Sequence, residues 1–202
     1  MARGPADRDR INSFALVTYI PEPLGGFLDR LRQELVPNCF LRAHVTILPP
    51  RPITCSPGHA WDTIRALAPQ FAPFDLEFGD VQVFPATDVI YVSLAEGHQL
   101  LRQMHEVLNV GGLRFKEDHP YHPHVTLAQT LKPDEVDELT HVARRRWAEF
   151  QYAKRVHVDK VVFVQNTRWN EWVDLGECQL GDGESKLVGE LTDPVGQVPD
   201  LP

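Results

Sequence analysis

The chain lacks most features that mark membrane, secreted or metal-ribbon proteins. It has only three cysteines in 202 residues, Cys39, Cys55 and Cys178. Their odd number and wide spacing fit neither a disulfide framework nor a zinc ribbon, and they suit a reducing compartment. No apolar run approaches the roughly 20 residues that a membrane-spanning helix needs, and no hydrophobic signal-peptide core follows the charged start. We therefore expect a cytoplasmic protein without membrane contact.

Positive charge is also scarce. Twenty Lys and Arg residues stand against 28 Asp and Glu, which gives a formal net charge of −8. Broad binding to duplex DNA requires a concentration of cations that this composition does not supply. Residues 181–202 carry five acids against one lysine, together with several glycines and prolines, and follow no helix or strand period. We expect this segment to be a mobile acidic tail.

What the chain does contain is one order of elements used twice. Apolar periodicity predicts strand, helix, strand, helix, strand at 13–20, 24–36, 44–48, 58–70 and 74–84. It predicts the same order again as strand 88–95, a helix around 100–108, strand 124–128, a helix from 133 and strand 156–165, with 171–180 pairing back on that last strand. This repetition predicts an α+β fold built from a duplicated β-α-β-α-β unit. We expect one bilobal domain over 1–180, with lobes at about 13–86 and 87–180 that can exchange strands.

The tripeptide His-Val-Thr occurs at 44–46 and again at 124–126, a separation of 80 residues. Random placement of nine histidines and ten threonines would give about 0.45 His-x-Thr triplets in this length. In a strand, residues i and i+2 project from the same face. The four residues His44, Thr46, His124 and Thr126 would then face one cleft, while the intervening valines anchor each strand in the core.

Two imidazoles and two hydroxyls in one cleft suit the chemistry of a phosphodiester. A neutral histidine can take a proton from the nucleophile, while a protonated histidine gives one to the leaving oxygen. The threonine hydroxyls can donate hydrogen bonds to the non-bridging oxygens. This chemistry requires no metal and no cofactor. The alternative is that both pairs only satisfy polar groups near the core, which explains a single histidine better than a matched pair.

The segments Ala43-His44-Val45-Thr46-Ile47-Leu48-Pro49-Pro50 and His122-Pro123-His124-Val125-Thr126-Leu127-Ala128, supported by Phe84-Pro85, resemble the 2H phosphoesterase superfamily. They are most similar to its branch of 2′-5′ RNA ligases and RNA 2′,3′-cyclic phosphodiesterases. The resemblance implies two antiparallel sheets around a central cleft with helices outside, and catalytic roles for His44, Thr46, His124 and Thr126. Relatives that act on RNA often carry an arginine shortly after the second motif, where this chain has Gln129.

Five other residues are candidate substrate contacts, three as stacking partners for a nucleobase and two as cations for a phosphate. They are Phe84, Tyr121 and Trp169, and Arg51 and Arg114. For each, packing or simple solvation is the alternative. The histidines at 119, 122 and 124 are a weak zinc candidate, because two prolines intervene and no further ligand follows at a suitable spacing.

The leading hypothesis is a metal-independent enzyme of RNA processing that acts as a monomer on a nucleotide or RNA end. Its substrate would carry a 2′,3′-cyclic phosphate or a 2′-5′ phosphodiester. A non-catalytic module that binds RNA ends or nucleotides in the same cleft is the alternative. A metal-dependent hydrolase is the third hypothesis, and activity that survives chelation would exclude it.

Overall fold

The computed structural model describes residues 9–37 and 39–194, which form an α+β fold of two antiparallel sheets and four α-helices. The strands are β1 Arg10–Tyr19, β2 His44–Arg51, β3 Phe74–Phe84, β4 Val89–Glu96, β5 Val125–Ala128, β6 Arg155–Val158, β7 Lys160–Thr167, β8 Trp172–Gln179 and β9 Lys186–Leu187. The helices are α1 Leu24–Leu35, α2 Pro57–Leu67, α3 His98–Leu108 and α4 Val136–Ala148. Within the described ranges, none of these helices has the length and apolar character needed to cross a bilayer.

Each sheet takes strands from both halves of the sequence. The first sheet has the order β2-β1-β7-β8-β9, and the second has the order β5-β4-β3-β6. The last strand of the first repeat, β3, pairs with β4, whereas β7 from the second half pairs with β1. The repeated unit therefore exchanges its third strand, and a division near residue 86 separates the sequence into halves without separating the sheets.

The chain changes sheets within the segment 156–165, for which the sequence predicts a single strand. There, β6 ends at Val158 and pairs with β3, and β7 begins at Lys160 and pairs with β1. Asp159 lies between them, and its carbonyl accepts a hydrogen bond of 2.7 Å from the amide of Leu180. The prediction of one strand is wrong because apolar residues resume directly after Asp159 and Lys160, and no glycine or proline marks the crossover.

A helix from each half supports the motif strand of the other half. Helix α1 packs against β5, and helix α3 packs against β2. On α3 the spacing of Leu101, Met104 and Leu108 forms one apolar face, and all three side chains are fully buried. Helix α2 begins at a proline and is capped by Ser56, whose hydroxyl accepts from the amide of His59.

The acidic segment after residue 180 is partly packed against the first sheet. Strand β9 pairs with β8, and the amides of Val188 and Gly189 both donate to the carbonyl of Leu175. The side chain of Arg10 donates to the carbonyl of Glu190. This packing differs from the mobile tail expected from residue 181 onward, because backbone hydrogen bonds to β8 and the partly buried Leu191 hold part of the segment against the sheet. The remainder of that expectation, residues 195–202, lies outside the described residues.

Candidate active site

The two His-Val-Thr motifs occupy equivalent places in the two sheets. His44 begins β2 and His124 directly precedes β5, and these two edge strands contact each other. Exposure alternates in the same order along 41–48 and 121–128, with the motif histidines and threonines half-buried. The residues between and after them are fully buried, namely Val45, Ile47, Val125 and Leu127. In both motifs the histidine and threonine therefore share one face and the aliphatic residues anchor the strand.

Each motif histidine is oriented by the same backbone bond. Nδ1 of His44 lies 2.7 Å from the carbonyl oxygen of Arg42, and Nδ1 of His124 lies 2.6 Å from that of His122. A carbonyl oxygen can only accept, so each neutral ring carries its proton on Nδ1. Both rings consequently present an unprotonated Nε2 on the side away from the backbone.

The threonines differ in their contacts with these rings. Nε2 of His124 lies 3.1 Å from Oγ1 of Thr126, and the hydroxyl must donate because Nε2 has no proton in the neutral ring. In the described structure His44 and Thr46 form no equivalent bond. The second motif therefore has its hydroxyl already in contact with the imidazole.

Burial lowers the pKa of both imidazoles. The pKa of His44 falls to about 4, first because of desolvation and then because the charges of Arg32 and His124 oppose a further positive charge. Burial also lowers the pKa of His124, with a smaller contribution from His122, although the carbonyl bond favours its charged form. Both rings are consequently neutral at pH 7 in the absence of an anion.

An aromatic wall lies beside the second motif. The rings of Phe84 and Tyr91 stack at a centroid distance of 3.9 Å, and His124 stands edge-on to them at 5.0 Å and 5.2 Å. The structure thus brings Phe84, a sequence-predicted candidate, next to His124. Tyr91 was not predicted, because only the strand register that pairs it with Thr126 reveals its place.

Three residues beside the first motif were not predicted from the sequence, namely Tyr19, Arg42 and Asp174. The guanidinium carbon of Arg42 lies 3.7 Å from the centroid of the Tyr19 ring, which stands edge-on to His44 at 6.4 Å. The Tyr19 hydroxyl donates to Oδ1 of Asp174 at 2.5 Å, and Nη1 of Arg42 lies 3.6 Å from Oδ2. Burial and this carboxylate raise the pKa of Tyr19, which therefore remains a neutral phenol. Tyr19 could have been identified only from its pairing with His44, and that pairing depends on the register of β1 against β2.

Tyr121 connects the two motifs directly. Its hydroxyl donates to the carbonyl of Thr46 at 2.6 Å, although it lies only three residues before His124. The ring stacks on His105 at a centroid distance of 4.1 Å, and Nδ1 of His105 donates to the carbonyl of Ile47 at 2.9 Å. Ile47 has no partner on β1 because the register shifts there by one residue, as in a β-bulge. Two rings from the second half of the chain thus hold consecutive carbonyls of the first motif strand.

The two arginine candidates differ in burial: Arg51 is buried and Arg114 is exposed. Arg51 is buried, and its guanidinium is committed to Glu117, to Asn109 at 2.7 Å and to the carbonyl of Pro49 at 2.8 Å. It ties the loop before the second motif to β2. Arg114 is exposed and lines an open cavity with His105.

Trp169 lies far from the motifs. It is 73% exposed in the turn between β7 and β8. Next to that turn, Thr167 pairs with Arg10 at the start of β1, whereas His44 pairs with Tyr19 at the end of β1. A strand of this length spans about 30 Å. The structure therefore does not bring Trp169 to the other candidates.

The histidines before the second motif do not gather around a common point. His122 is exposed and turns edge-on to Phe84 at 5.3 Å, and its ring centroid lies 6.4 Å from that of His124. Within residues 9–37 and 39–194, no group of three or more His, Cys, Asp or Glu side chains is placed to hold a metal ion.

Several known proteins are similar to this chain in sequence or in fold. The family model described as the 2′-5′ RNA ligase superfamily matches residues 20–169. A candidate phosphoesterase of Halalkalibacterium halodurans is 22% identical over 181 residues, which is 85% of this chain and 99% of that protein. Another, from Oceanobacillus iheyensis, is 33% identical over 79 residues, which is 39% of this chain and less than half, 46%, of that protein.

Among solved structures, apo LigT of E. coli is similar in fold, with a TM-score of 0.58 and 14% sequence identity. The match covers 86% of this chain and 99% of LigT.

Proposed function

The chain belongs to the 2′-5′ RNA ligase superfamily of 2H phosphoesterases, and on that premise we propose that it is a metal-independent phosphodiesterase. Its substrate is a 2′,3′-cyclic phosphate on a nucleotide or RNA end, or a 2′-5′ phosphodiester. The observation that carries this proposal is the matched pair of Nδ1-to-carbonyl bonds, which leaves Nε2 of both histidines unprotonated and able to take up a proton, on two contacting strands. One such atom is needed as a base and the other, when protonated, as an acid.

On a cyclic phosphate the two histidines would act as a base and an acid. Water attacks phosphorus while one Nε2 takes its proton, and the bond from phosphorus to the ribose O2′ or O3′ breaks. The second, protonated Nε2 gives its proton to that oxygen, which leaves a phosphomonoester and a free hydroxyl. The hydroxyls of Thr46 and Thr126 donate to the non-bridging oxygens, where negative charge accumulates.

The surroundings of the two rings favour His44 as the base. Besides burial, the positive charge of Arg32 opposes protonation of His44 and keeps its pKa low. The pKa of His124 is lowered mainly by burial and by the neighbouring His122, and no arginine contributes to that shift. A bound phosphate raises the pKa of a neighbouring imidazole, so His124 takes up the proton when substrate binds and acts as the acid.

A nucleotide is the substrate class that the surroundings favour. Structures of E. coli LigT have been solved with NADP+, with ATP and with 3′-AMP. In this chain the stacked rings of Phe84 and Tyr91 offer an aromatic surface beside His124. We propose a monomer because both motifs come from one chain, and a cytosolic location because all three cysteines are free thiols.

The decisive experiment assays a panel of substrates in EDTA. The panel contains 2′,3′-cyclic mononucleotides, ADP-ribose cyclic phosphate, RNA with a cyclic end and 2′-5′ oligonucleotides. His44→Ala and His124→Ala should each lower turnover by roughly 10²–10⁴-fold while the melting temperature changes little. His157→Ala is the matched control, because this exposed histidine of β6 pairs with Asp75 of β3, away from the motifs.

Two results would contradict the proposal. Nucleotide binding without turnover of any substrate would favour the non-catalytic binding module. Loss of wild-type activity in EDTA would instead indicate a metal-bound water as nucleophile.

A further inference from the structure

The segment that leads into the first motif places an unusual cation beside the site. Arg42 lies two residues before His44, and its side chain is 63% exposed. In the second motif the equivalent position is occupied by His122, whose pKa is lowered by burial and by nearby positive charge. Only the His44 side of the site therefore carries a permanent positive charge at this position.

The backbone of this segment is held by helix α1 at three consecutive residues. The buried guanidinium of Arg32 donates to the carbonyls of Leu41 and Arg42 at 3.3 Å and 3.4 Å. The carboxylate of Asp29 accepts from the amide of Ala43 at 2.5 Å. The Arg42 side chain consequently projects from a fixed backbone, although the segment itself is neither helix nor strand.

The Arg42 guanidinium is oriented by its neighbours, but within the described chain its N–H groups form no hydrogen bonds with them. One of its faces lies on the ring of Tyr19 at 3.7 Å. The nearest carboxylate, that of Asp174, lies 3.6 Å away, which is beyond hydrogen-bond distance, and it already accepts from the Tyr19 hydroxyl. Among the described residues no acceptor takes a hydrogen bond from the Arg42 side chain, so its planar set of N–H donors remains available.

Arg42 and His44 also share one face at a useful separation. The Tyr19 ring contacts both side chains, which places them on the same side of the first sheet. Burial alternates through Arg42, Ala43 and His44 as in an extended chain, in which two residues span about 6.6 Å. That separation is on the order of the distance between adjacent phosphates in a nucleotide chain.

We propose that Arg42 forms a subsite for a second phosphate group of the substrate, next to the phosphate held between His44 and His124. The inference rests on the proposed function and narrows it to nucleotides that carry two phosphates. In RNA the second phosphate is the one on the 5′ oxygen of the terminal nucleotide. Arginine suits this role because its fork of donors matches phosphate oxygens.

A binding experiment tests the subsite independently of turnover. Calorimetry compares adenosine 3′-monophosphate with adenosine 3′,5′-bisphosphate, which differ only in the second phosphate. The wild-type protein should bind the bisphosphate about 10-fold to 100-fold more tightly, as expected for a charge-assisted hydrogen bond. Arg42→Ala should remove this preference, and Arg42→Lys should keep part of it.

Arg65→Ala is the matched control, because Arg65 is a half-exposed arginine with an acidic neighbour on α2. It should retain the full preference for the bisphosphate. Equal affinity of the wild-type protein for the two nucleotides, or no binding of either, overturns the subsite. An Arg42→Ala variant that weakens both nucleotides equally also overturns it, because a purely structural role would act in that way. These outcomes hold whether or not the protein hydrolyses a cyclic phosphate, so the two proposals fail separately.

Discussion

At the scale of single residues, each motif histidine owes its orientation to the carbonyl two positions before it. This local bond holds Nδ1 protonated in both rings, so their Nε2 atoms are chemically equivalent until the surroundings distinguish them. Arg32 makes that distinction near His44, and the Thr126 hydroxyl makes it near His124. The symmetry of the sequence is thus broken by one buried cation and one hydrogen bond.

The lowered pKa values predict an acidic optimum for kcat/KM. This parameter reports the free enzyme, in which one imidazole must be neutral and the other protonated. Both pKa values lie below the ordinary value of 6.5, with that of His44 at about 4, so the singly protonated form is most abundant below pH 6.5. The kcat profile should extend to higher pH, because bound phosphate stabilises the imidazolium.

Steady-state kinetics across pH 4–9 would measure both profiles. The two apparent pKa values describe the coupled pair, and removal of one histidine should abolish one limb. A kcat/KM maximum above neutral pH would contradict the burial of these rings.

The threonines can be tested by removing and restoring the hydroxyl. Thr46→Val and Thr126→Val should each reduce turnover by about 10-fold or more, because a donor to the non-bridging oxygens is lost. Thr126→Val should also shift the pH profile, since its hydroxyl contacts His124 directly. The serine variants keep a hydroxyl and should recover most of the activity. If the valine variants had wild-type kinetics, the threonines would have no role in the reaction.

At the scale of elements, the site depends on the free edges of β2 and β5. Both are edge strands, and an edge strand exposes backbone groups that need partners. Tyr121 and His105 supply such partners to β2 through the carbonyls of Thr46 and Ile47. Tyr121 in the loop before the second motif and His105 on α3 therefore hold β2 against the second half of the chain.

Tyr121→Phe isolates this connection. It removes only the hydroxyl, while the ring remains stacked on His105. We expect unfolding free energy to fall by about 1 kcal/mol. We also expect kcat to fall several-fold with little change in KM, because displacement of Thr46 affects the reacting phosphate more than the rest of the substrate. Tyr152→Phe is the control, because that tyrosine is 67% exposed. A stability loss without any kinetic change would limit Tyr121 to a structural role.

The sequence predicts the positions of helices and strands well, but it predicts strand register and long-range contacts poorly. The helix expected at 24–36 is observed at Leu24–Leu35, and the strand expected at 88–95 is observed at Val89–Glu96. Such elements follow from local periodicity. The bulge at Ile47 and the contact of Tyr19 with Asp174 depend on register between segments up to 155 residues apart. No local pattern carries that information, which is why the surroundings of His44 could not be predicted.

At the scale of the whole molecule, the exchange of β3 and β7 makes the two halves depend on each other. Strand β1 would lose its neighbour β7 if the halves were separated, and with it the stacking of Phe14 on Phe163 at 5.4 Å. The apolar face of each half would then be exposed to water. The duplication visible in the sequence therefore does not correspond to two independently stable bodies.

Separation of the chain near residue 86 tests this dependence. Neither fragment alone should show a cooperative thermal transition or a dispersed NMR spectrum, because each lacks a strand of its sheet. The intact chain is the reference for both measurements. A first-half fragment that unfolds cooperatively would mean that β1 and β2 form a stable sheet without β7.

The pairing of β1 with β7 also determines when the first sheet can form during translation. Residues 10–19 emerge from the ribosome about 150 residues before their partner residues 160–167. At 5–20 residues per second this delay lasts roughly 8–30 s. During that interval His44 and Thr46 have been synthesised, but the strand that completes their sheet has not. The second sheet can close earlier, because its strands all lie between residues 74 and 158. The half of the site that is translated first is consequently the half that is finished last.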